Sequence, residues 1–359
     1  MRSAPRTAVG PALFVTGSAR SGTELLRAVL NRHPRVHIAA ETHYFEDLRP
    51  RLPAGDPAAA RRLALAAFAG LRGSAYGLDG AEATIPPDRA QADLLAEAGA
   101  QASGDALFHA HCRIAARDAG RPDPDLWGEK TPRHVFAGDR ILAAFPRARI
   151  VHILRDPRAA VASYRDWTNH WYDGRAVPEP LGAALAAEAA RVAATRSITV
   201  QALMWRAAAD AARALRARHG PDRVRIQSFE ALLADPAGEI AALCAFAGLE
   251  PAAGMDRIGR VNSSYGPRSG AGGVEPSAAT DWRARLDPAE IWWIERLTGA
   301  AARGYPRESR RAHPGFALVE LSRTARRLPA MAAANRHRAG HHAGMIMARV
   351  RPLLGNPRL

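Results

Sequence analysis

A glycine-rich stretch near the start of the chain, GSARSGT at residues 17–23, contains most of a phosphate-binding loop. Such loops read G-x-x-x-x-G-K-[ST], in which the lysine reaches the outer phosphates and the hydroxyl holds magnesium. Gly17 and Gly22 keep this spacing and Thr23 follows directly, so the lysine is missing and Arg20 lies inside the loop instead. The stretch therefore predicts a site for a phosphate-bearing ligand that does not require the usual lysine.

Three later stretches also carry residues suited to chemistry: ETHYFED beginning at Glu41, GEKTPRH with Lys130, and LRDPRAAVAS with Arg155 and Ser163. Lys130 is the only lysine in the chain. A single lysine among so many arginines suggests that a compact ammonium group is needed there. The alternative is that Lys130 is a surface residue without a specific role.

Strand-like runs followed by helix-start signals are repeated along the sequence. ALFVTG leads into the glycine loop and a helix from Thr23, IVHIL leads into Asp156 and Pro157, and VRIQSF leads into Asp235 and Pro236. Asp at the N-cap with Pro at the first helical position favours a helix start. Repeated strand-to-helix units predict an α/β fold, a three-layer parallel sheet with helices on both faces. Ala-rich segments at residues 56–118 and 181–218 are expected to supply helical cover.

The four stretches together resemble the sulfotransferases that use 3'-phosphoadenosine 5'-phosphosulfate (PAPS) as donor. GSARSGTELLRAVLNRHPRV is similar to the tyrosylprotein sulfotransferases, and ETHYFED and GEKTP are similar to the heparan sulfate sulfotransferases. The resemblance implies a P-loop-like nucleotide-binding core and transfer of a sulfuryl group from PAPS to a hydroxyl, leaving adenosine 3',5'-bisphosphate (PAP). The acceptor stays open between a carbohydrate, a glycolipid, another small molecule and a peptidyl tyrosine.

The resemblance also implies which residues bind the donor. The loop and the first helical turn would hold the 5'-phosphosulfate through backbone amides and the Arg20 guanidinium, while an R-x7-S pair would hold the 3'-phosphate. Gly22 lets the backbone approach the phosphate closely. Magnesium is not obligatory, because no ATP-like polyphosphate has to be bridged. The implied donor-binding residues are Ser18, Arg20, Ser21, Gly22, Thr23, Glu24, Arg155, Ser163 and Arg268.

Four residues are expected to take part in the transfer itself. Glu41 lies at nearly the same distance from the loop as the catalytic glutamate of both similar branches, which implies that it is the general base. His43 is the rival base, or it orients Glu41 or binds the acceptor. Lys130 would bind the sulfuryl oxygens or the leaving phosphate, and Arg20 would neutralise charge that develops on that phosphate.

Some interpretations compete with these assignments. Arg155 could instead form an ion pair with Asp156, and Phe229 stands where relatives often have tyrosine. The whole chain could be a P-loop nucleotide kinase or nucleotide-binding protein, although the Walker lysine is missing. A non-catalytic basic adaptor is a third class, but it would not require the four stretches.

The charge of the chain is unevenly distributed. Residues 307–359 contain eleven arginines and two glutamates, a net charge of +9 out of the total of +15. We therefore divide the chain into an α/β domain at 9–306 and a basic, partly helical tail at 307–359. The tail could contact a membrane surface weakly or simply be solvated. Nucleic acid is not expected as a partner, because the tail lacks aromatic residues that would stack on bases.

Cysteine, histidine and hydropathy patterns limit the remaining possibilities. Cys112 and Cys244 lie in apolar stretches of sequence. We expect each to be a buried structural thiol, and a disulfide between them is the less favoured alternative. A histidine run near the C-terminus, His337, His341 and His342, is expected to be solvated, because no carboxylate or cysteine accompanies it as a metal ligand. No apolar run approaches the roughly 18 to 20 residues of a membrane span, so a soluble cytoplasmic enzyme is expected.

Overall fold

The computed structural model describes residues 10–73, 85–166, 190, 193, 196–257 and 279–334. These residues form two compact units. The first contains residues 10–73, 85–155, 211–257 and 279, and the second contains 156–166, 190, 193, 196–210 and 280–334. The division at residue 306 that the charge distribution suggests is a different one and stays a prediction.

The first unit is built on a sheet of five parallel strands in the order β2-β3-β1-β4-β5. The strands are β1 (Ala12–Gly17), β2 (Val36–Ala39), β3 (Leu126–Lys130), β4 (Ala148–Leu154) and β5 (Val224–Ser228). The predicted α/β fold is confirmed. Strands β2 and β3 were not predicted, because VHIA is short and LWGEK ends in two charged residues that resemble loop sequence.

Eleven α-helices follow or precede the strands in the described part of the chain. They are α1 (Thr23–Asn31), α2 (Pro57–Gly73), α3 (Pro87–Ala98), α4 (Gly104–Asp118), α5 (Gly138–Ala144), α6 (Pro157–Arg165), α7 (Ile198–His219), α8 (Phe229–Ala234), α9 (Pro236–Ala247), α10 (Pro288–Thr298) and α11 (Pro314–Ala334). The predicted helix starts are confirmed, since Asp156 accepts a hydrogen bond from the Arg158 amide and Asp235 accepts one from the Gly238 amide. The Ala-rich segments form helices α2, α3, α4 and α7 within the described residues.

Successive side chains of the central strand β1 belong to two different apolar cores. Phe14 belongs to a core that includes Phe45 and Phe108 from the connection after β2 and from α4. Leu13 and Val15 belong to the other core, with Leu26 of α1. Because successive side chains of a strand point to opposite faces, the sheet has a buried layer on each face. This is the predicted three-layer arrangement.

Close packing of β1 against β3 requires a glycine at position 128. A Cβ built there would lie 1.9 Å from the carbonyl oxygen of Leu13. Gly128 therefore allows β3 to reach the register in which Glu129 and Lys130 pair with Phe14 and Val15. This register brings Lys130 to the carboxyl edge of the sheet.

The two cysteines belong to the first unit, and both are buried free thiols. Burial raises the pKa of Cys112 and of Cys244. The prediction that they are structural thiols is confirmed.

The second unit has its own small core and a buried ionic cluster. Ala159 and Val161 of α6 pack with Trp282 and Ile294. Arg158 donates to Asp156 and, at 2.7 Å, to Glu295 of α10. These carboxylates offset the cost of burying the guanidinium, which lies over the Trp282 ring.

Helix α11 belongs to the second unit and leaves leucines exposed. Leu318, Leu321 and Leu328 are 71%, 47% and 53% exposed. Among the described residues, no helix combines the length and the apolar character that a bilayer crossing requires. The predicted contact of the tail with a membrane surface stays a prediction, and the terminal histidines lie outside the described residues.

Candidate active site

The glycine-rich loop connects the end of β1 to the start of α1, as predicted. Arg20 and Gly22 have φ angles of 65° and 97°, in the left-handed region. Gly22 is the N-cap of α1 and provides no side-chain hydrogen bond to the first helical turn. The amides at the start of the helix, including those of Thr23 and Glu24, therefore have no capping side chain and can bind an anion.

Two constraints explain why position 22 must be glycine. A Cβ at Gly22 would lie 2.5 Å from Cδ2 of Phe229, at the start of α8, and the positive φ disfavours any other residue. Phe229 thus packs against the loop. Its ring also lies beneath the guanidinium of Arg155, whose Cζ is 4.4 Å from the ring centroid.

Arg155 braces the loop from the end of β4. One of its Nη atoms donates to the carbonyl oxygen of Arg20 over 3.0 Å. Within the loop, the hydroxyls of Ser18 and Ser21 hydrogen-bond to each other, and the Ser21 amide donates to the Ser18 carbonyl at 3.2 Å. Contacts within the loop and the hydrogen bond from Arg155 therefore both fix its conformation. No local sequence pattern predicts this role of Arg155.

Lys130 links two carboxylates at the carboxyl edge of the sheet. Its Nζ lies 2.5 Å from Oε1 of Glu41 and 3.1 Å from Oε2 of Glu24. Burial alone would lower the pKa of Lys130, but Glu41 and Glu24 outweigh it and raise that pKa. The ammonium is therefore charged, and residues from three separate motifs meet around it.

Glu24 is also held by a second cation. Arg27, one turn along α1, donates to Glu24 Oε1 from Nε at 2.9 Å and from an Nη atom at 2.5 Å. Burial alone would raise the pKa of Glu24, but Lys130 and Arg27 outweigh it and lower the pKa to about 2. The Glu24 carboxylate is thus occupied by cations, while its backbone amide lies in the first turn of α1.

The sheet order explains why these residues converge. Strand β3 lies between β2 and β1, and Ala39 of β2 pairs with Glu129, the residue before Lys130. Glu41 follows β2 by two residues, and Glu24 lies in the first turn of the helix that follows β1. The carboxyl ends of adjacent parallel strands place these groups at one edge, where ligands of such sheets bind.

His43 joins Glu41 to a second carboxylate, Glu46. Nε2 of His43 lies 3.4 Å from Oε2 of Glu41, and Nδ1 lies 3.0 Å from Oε1 of Glu46. Burial alone would raise the pKa of the fully buried Glu46, but His43 and Arg133 outweigh it and lower the pKa to about 2. Glu46 is therefore ionised and fixes the orientation of the His43 ring.

Arg133 and Glu46 are site residues that sequence reasoning did not assign. Nε of Arg133 lies 2.9 Å from Oε1 of Glu46, and an Nη atom lies 3.1 Å from Oδ2 of Asp47. Both residues lie inside the motifs already singled out, ETHYFED and GEKTPRH, so only their pairing was missing. His43, Glu46 and Asp47 have the spacing of a metal site, but the Arg133 guanidinium already pairs with both carboxylates.

Ser163 and Arg268, the other predicted donor-binding residues, are not among the described residues of the first unit. Ser163 is buried in α6, in the second unit, at 2% exposure. Arg268 lies outside the described residues. Asp156, the alternative ion-pair partner of Arg155, accepts hydrogen bonds from Arg158 within the second unit.

Solved structures with some similarity are bacterial sulfotransferases. The sulfotransferase domain from the Synechococcus PCC 7002 olefin synthase is 20% identical, with 85% of this chain and 99% of that chain covered and a TM-score of 0.47. The sulfotransferase domain from the curacin biosynthetic pathway is 15% identical, with coverages of 84% and 99% and a TM-score of 0.49. A sulfotransferase from Alicyclobacillus acidocaldarius is 20% identical, with coverages of 81% and 96% and a TM-score of 0.37.

The assignment to a family depends on the sequence match. No curated protein matches this chain. The model of the sulfotransferase family matches residues 11–253 of the 359, a range that includes the glycine-rich loop, Glu41, Lys130 and Arg155. The chain therefore belongs to the sulfotransferase family.

Proposed function

We propose that this sulfotransferase moves the sulfuryl group of PAPS to an acceptor hydroxyl, with Glu41 as general base. The observation that carries the proposal is the position of Lys130, whose Nζ contacts Glu41 and Glu24 at the edge where α1 begins. A cation, a candidate base and a set of helix-terminal amides are the groups that sulfuryl transfer requires. Further similarity to the tyrosylprotein or heparan sulfate branches stays a prediction.

The glycine-rich loop has the chemistry to hold the 5'-phosphosulfate of the donor. The uncapped amides of Thr23 and Glu24, the Ser18 and Ser21 hydroxyls and the Arg20 guanidinium all belong to this segment. Partial positive charge at a helix N-terminus favours a bound anion. Arg155, Ser163 and Arg268 would hold the 3'-phosphate, as their match to the R-x7-S and closing-loop patterns implies.

Lys130 would have two roles. In this structure it forms ion pairs with both Glu41 and Glu24. A bound phosphosulfate would bring additional negative charge and compete for the ammonium, so that Glu41 becomes available to accept a proton. Lys130 and Arg20 would then stabilise the negative charge that develops on the phosphate as the sulfuryl group departs. Because these cations belong to the chain itself, we expect no metal requirement.

Glu41 is the better placed of the two candidate bases. Its carboxylate lies between Lys130 and His43, with one oxygen facing each. His43 has its Nδ1 directed to Glu46, which leaves Nε2 facing Glu41. We therefore assign proton abstraction from the acceptor to Glu41 and the positioning of Glu41 to His43.

Calorimetry with PAP and with ATP and magnesium tests the donor assignment. PAP should bind to the wild-type chain, and Gly22→Ala should weaken this binding by at least about tenfold, because the added Cβ meets Phe229 and disturbs the loop. ATP with magnesium should bind much more weakly than PAP. Tight binding of ATP with magnesium and none of PAP would overturn the proposal in favour of a P-loop kinase.

An untargeted mass-spectrometric experiment identifies the acceptor. Cell extract incubated with PAPS and the protein should contain a component that gains the mass of one SO₃ group, and PAP should form with it. Because carbohydrates, glycolipids, small molecules and tyrosine peptides fractionate differently, the same experiment separates these acceptor classes.

A further inference from the structure

Four consecutive backbone amides after Glu41, those of residues 42–45, all donate to side chains. His43 is the N-cap of a short helical turn at Tyr44–Leu48, so the amides at its start have no partner within the turn and must find one elsewhere. The four bonds are Thr42 to Glu129 Oε1 (2.8 Å), His43 to Thr131 Oγ1 (3.4 Å), Tyr44 to Thr42 Oγ1 (3.2 Å) and Phe45 to His134 Nε2 (3.3 Å). Three of the four acceptors come from the end of β3 and the turn after it.

Glu129 is the centre of this network. It has no exposed surface, and its Oε1 also accepts hydrogen bonds from the hydroxyls of Thr42 and Thr131. Burial alone would raise the pKa of Glu129, but His134 and the hydrogen bonds from Thr131 and Thr42 outweigh it and lower the pKa. Glu129 is therefore a charged acceptor, and hydrogen bonds to an ionised group are stronger than neutral ones.

His134 completes the network. Its Nε2 faces the Phe45 amide at 3.3 Å, and its Nδ1 carries a hydrogen directed at Glu129. Nδ1 lies 2.9 Å from Oε2 of Glu129, and both side chains are fully buried. One carboxylate oxygen of Glu129 therefore contacts Thr42, and the other contacts His134.

The alternation of β3 divides two tasks between neighbouring residues. Successive side chains of a strand point to opposite faces. Lys130 reaches the Glu41 carboxylate, while Glu129 holds the amide of Thr42, the next residue after Glu41. On the other side of Thr42, His43 has a φ of 53°, a conformation that costs free energy unless neighbouring contacts hold it.

We infer that Glu129 and His134 are positioning residues, which hold the backbone of residues 42–45 so that Glu41 and His43 meet the reacting groups. Neither side chain contacts Glu41 or Lys130 in this role; each acts through the backbone. The catalytic consequence rests on the proposed function, but the backbone constraint itself can be measured without activity.

Glu129→Gln tests the inference with little change of shape. The glutamine oxygen can still accept from Thr42, but its NH₂ group would then face the hydrogen on His134 Nδ1. Either the contact with His134 or the hydrogen bond from Thr42 must therefore be lost. We expect hydrogen exchange of the amides in 42–45 to speed up by at least about tenfold, with exchange in β1 and β4 unchanged. We expect kcat to fall by about 10- to 100-fold, with KM for PAPS and the affinity for PAP nearly unchanged.

A second pair of variants keeps the test decisive if Glu129→Gln does not fold. Thr131→Val removes the hydroxyl that accepts the His43 amide and donates to Glu129, and Thr131→Ser restores it. Thr298→Val is the matched control, because Thr298 is also fully buried but donates to Ile294 in α10. Thr131→Val should lower kcat and speed exchange in 42–45, whereas Thr131→Ser and Thr298→Val should do neither.

The outcomes separate this inference from the proposed function. Unchanged exchange in 42–45, or faster exchange with unchanged kcat, would overturn the positioning role. A wild-type chain that binds no PAP and transfers no sulfuryl group would instead overturn the proposed function. In that case the exchange measurement still decides whether Glu129 holds the segment.

Discussion

Glu41→Gln is expected to lower the turnover of sulfuryl transfer by about 10²- to 10⁴-fold, the usual contribution of a positioned general base. Glutamine keeps the size of the side chain but cannot accept the proton of the acceptor hydroxyl. Glu41 lies beyond the loop that would hold the nucleotide, so the affinity for PAP should change little. Release of PAP in the presence of acceptor measures turnover, and calorimetry measures affinity.

Two further variants make the Glu41 experiment specific. Glu250→Gln is the control, because Glu250 is exposed after α9 and its side chain takes no part in the site; it should have wild-type turnover. His43→Asn tests the rival base and should cost less activity than Glu41→Gln, because His43 only orients Glu41. Full activity of Glu41→Gln together with an inactive His43→Asn would move the base role to His43.

Lys130→Met is expected to lower turnover by about 10²- to 10³-fold and also to destabilise the fold. The activity loss follows from removing a cation aimed at developing charge. The stability loss follows because Glu41 and Glu24 lose a buried partner; breaking such a pair costs about 3–5 kcal/mol, and less here since Arg27 still holds Glu24. Lys130→Arg should not restore activity, because a guanidinium is wider than the ammonium that this 7% exposed position accommodates.

The pH dependence of stability provides an independent check on Lys130. The pKa of Glu24 is lowered from 4.5 to about 2, so the stability that it contributes is present above pH 4.5 and is lost as the pH falls towards about 2. Lys130→Met removes one cause of that lowering. The difference in unfolding free energy between wild type and Lys130→Met should therefore be large near neutral pH and shrink between about pH 4.5 and 2. A difference that stays constant over this range would contradict the pairing.

Local sequence signals were sufficient to predict the strand, loop and helix around Gly22. These signals are the glycine spacing and the helix-start residues. The resemblance to a family drew attention to Glu41, and the structure brings Glu41 into contact with Lys130, the solitary lysine. Strands β2 and β3 could not be predicted from such local signals. LWGEK is a buried strand whose Glu129 finds partners in the segment after β2, far away along the chain.

Contacts between distant residues account for the other missed features. Arg155 was predicted to bind a phosphate, and this stays a prediction; in the structure it donates to the Arg20 carbonyl and lies over the Phe229 ring. Arg133 and Glu46 lie inside the quoted motifs, but no spacing rule indicates that they pair. The pattern shows which residue types are present, whereas the partner of each charge is decided by the order of strands in the sheet.

A structure of the protein with PAP bound tests the central claim most directly. We predict that the 5'-phosphate lies within hydrogen-bonding distance, about 2.7–3.2 Å, of the backbone nitrogens of Thr23 and Glu24. Lys130 Nζ should turn towards that phosphate, while the Glu41 carboxylate faces the side from which an acceptor would enter. A 5'-phosphate bound away from the start of α1, with Lys130 still paired to Glu41 and Glu24, would contradict the proposed mechanism.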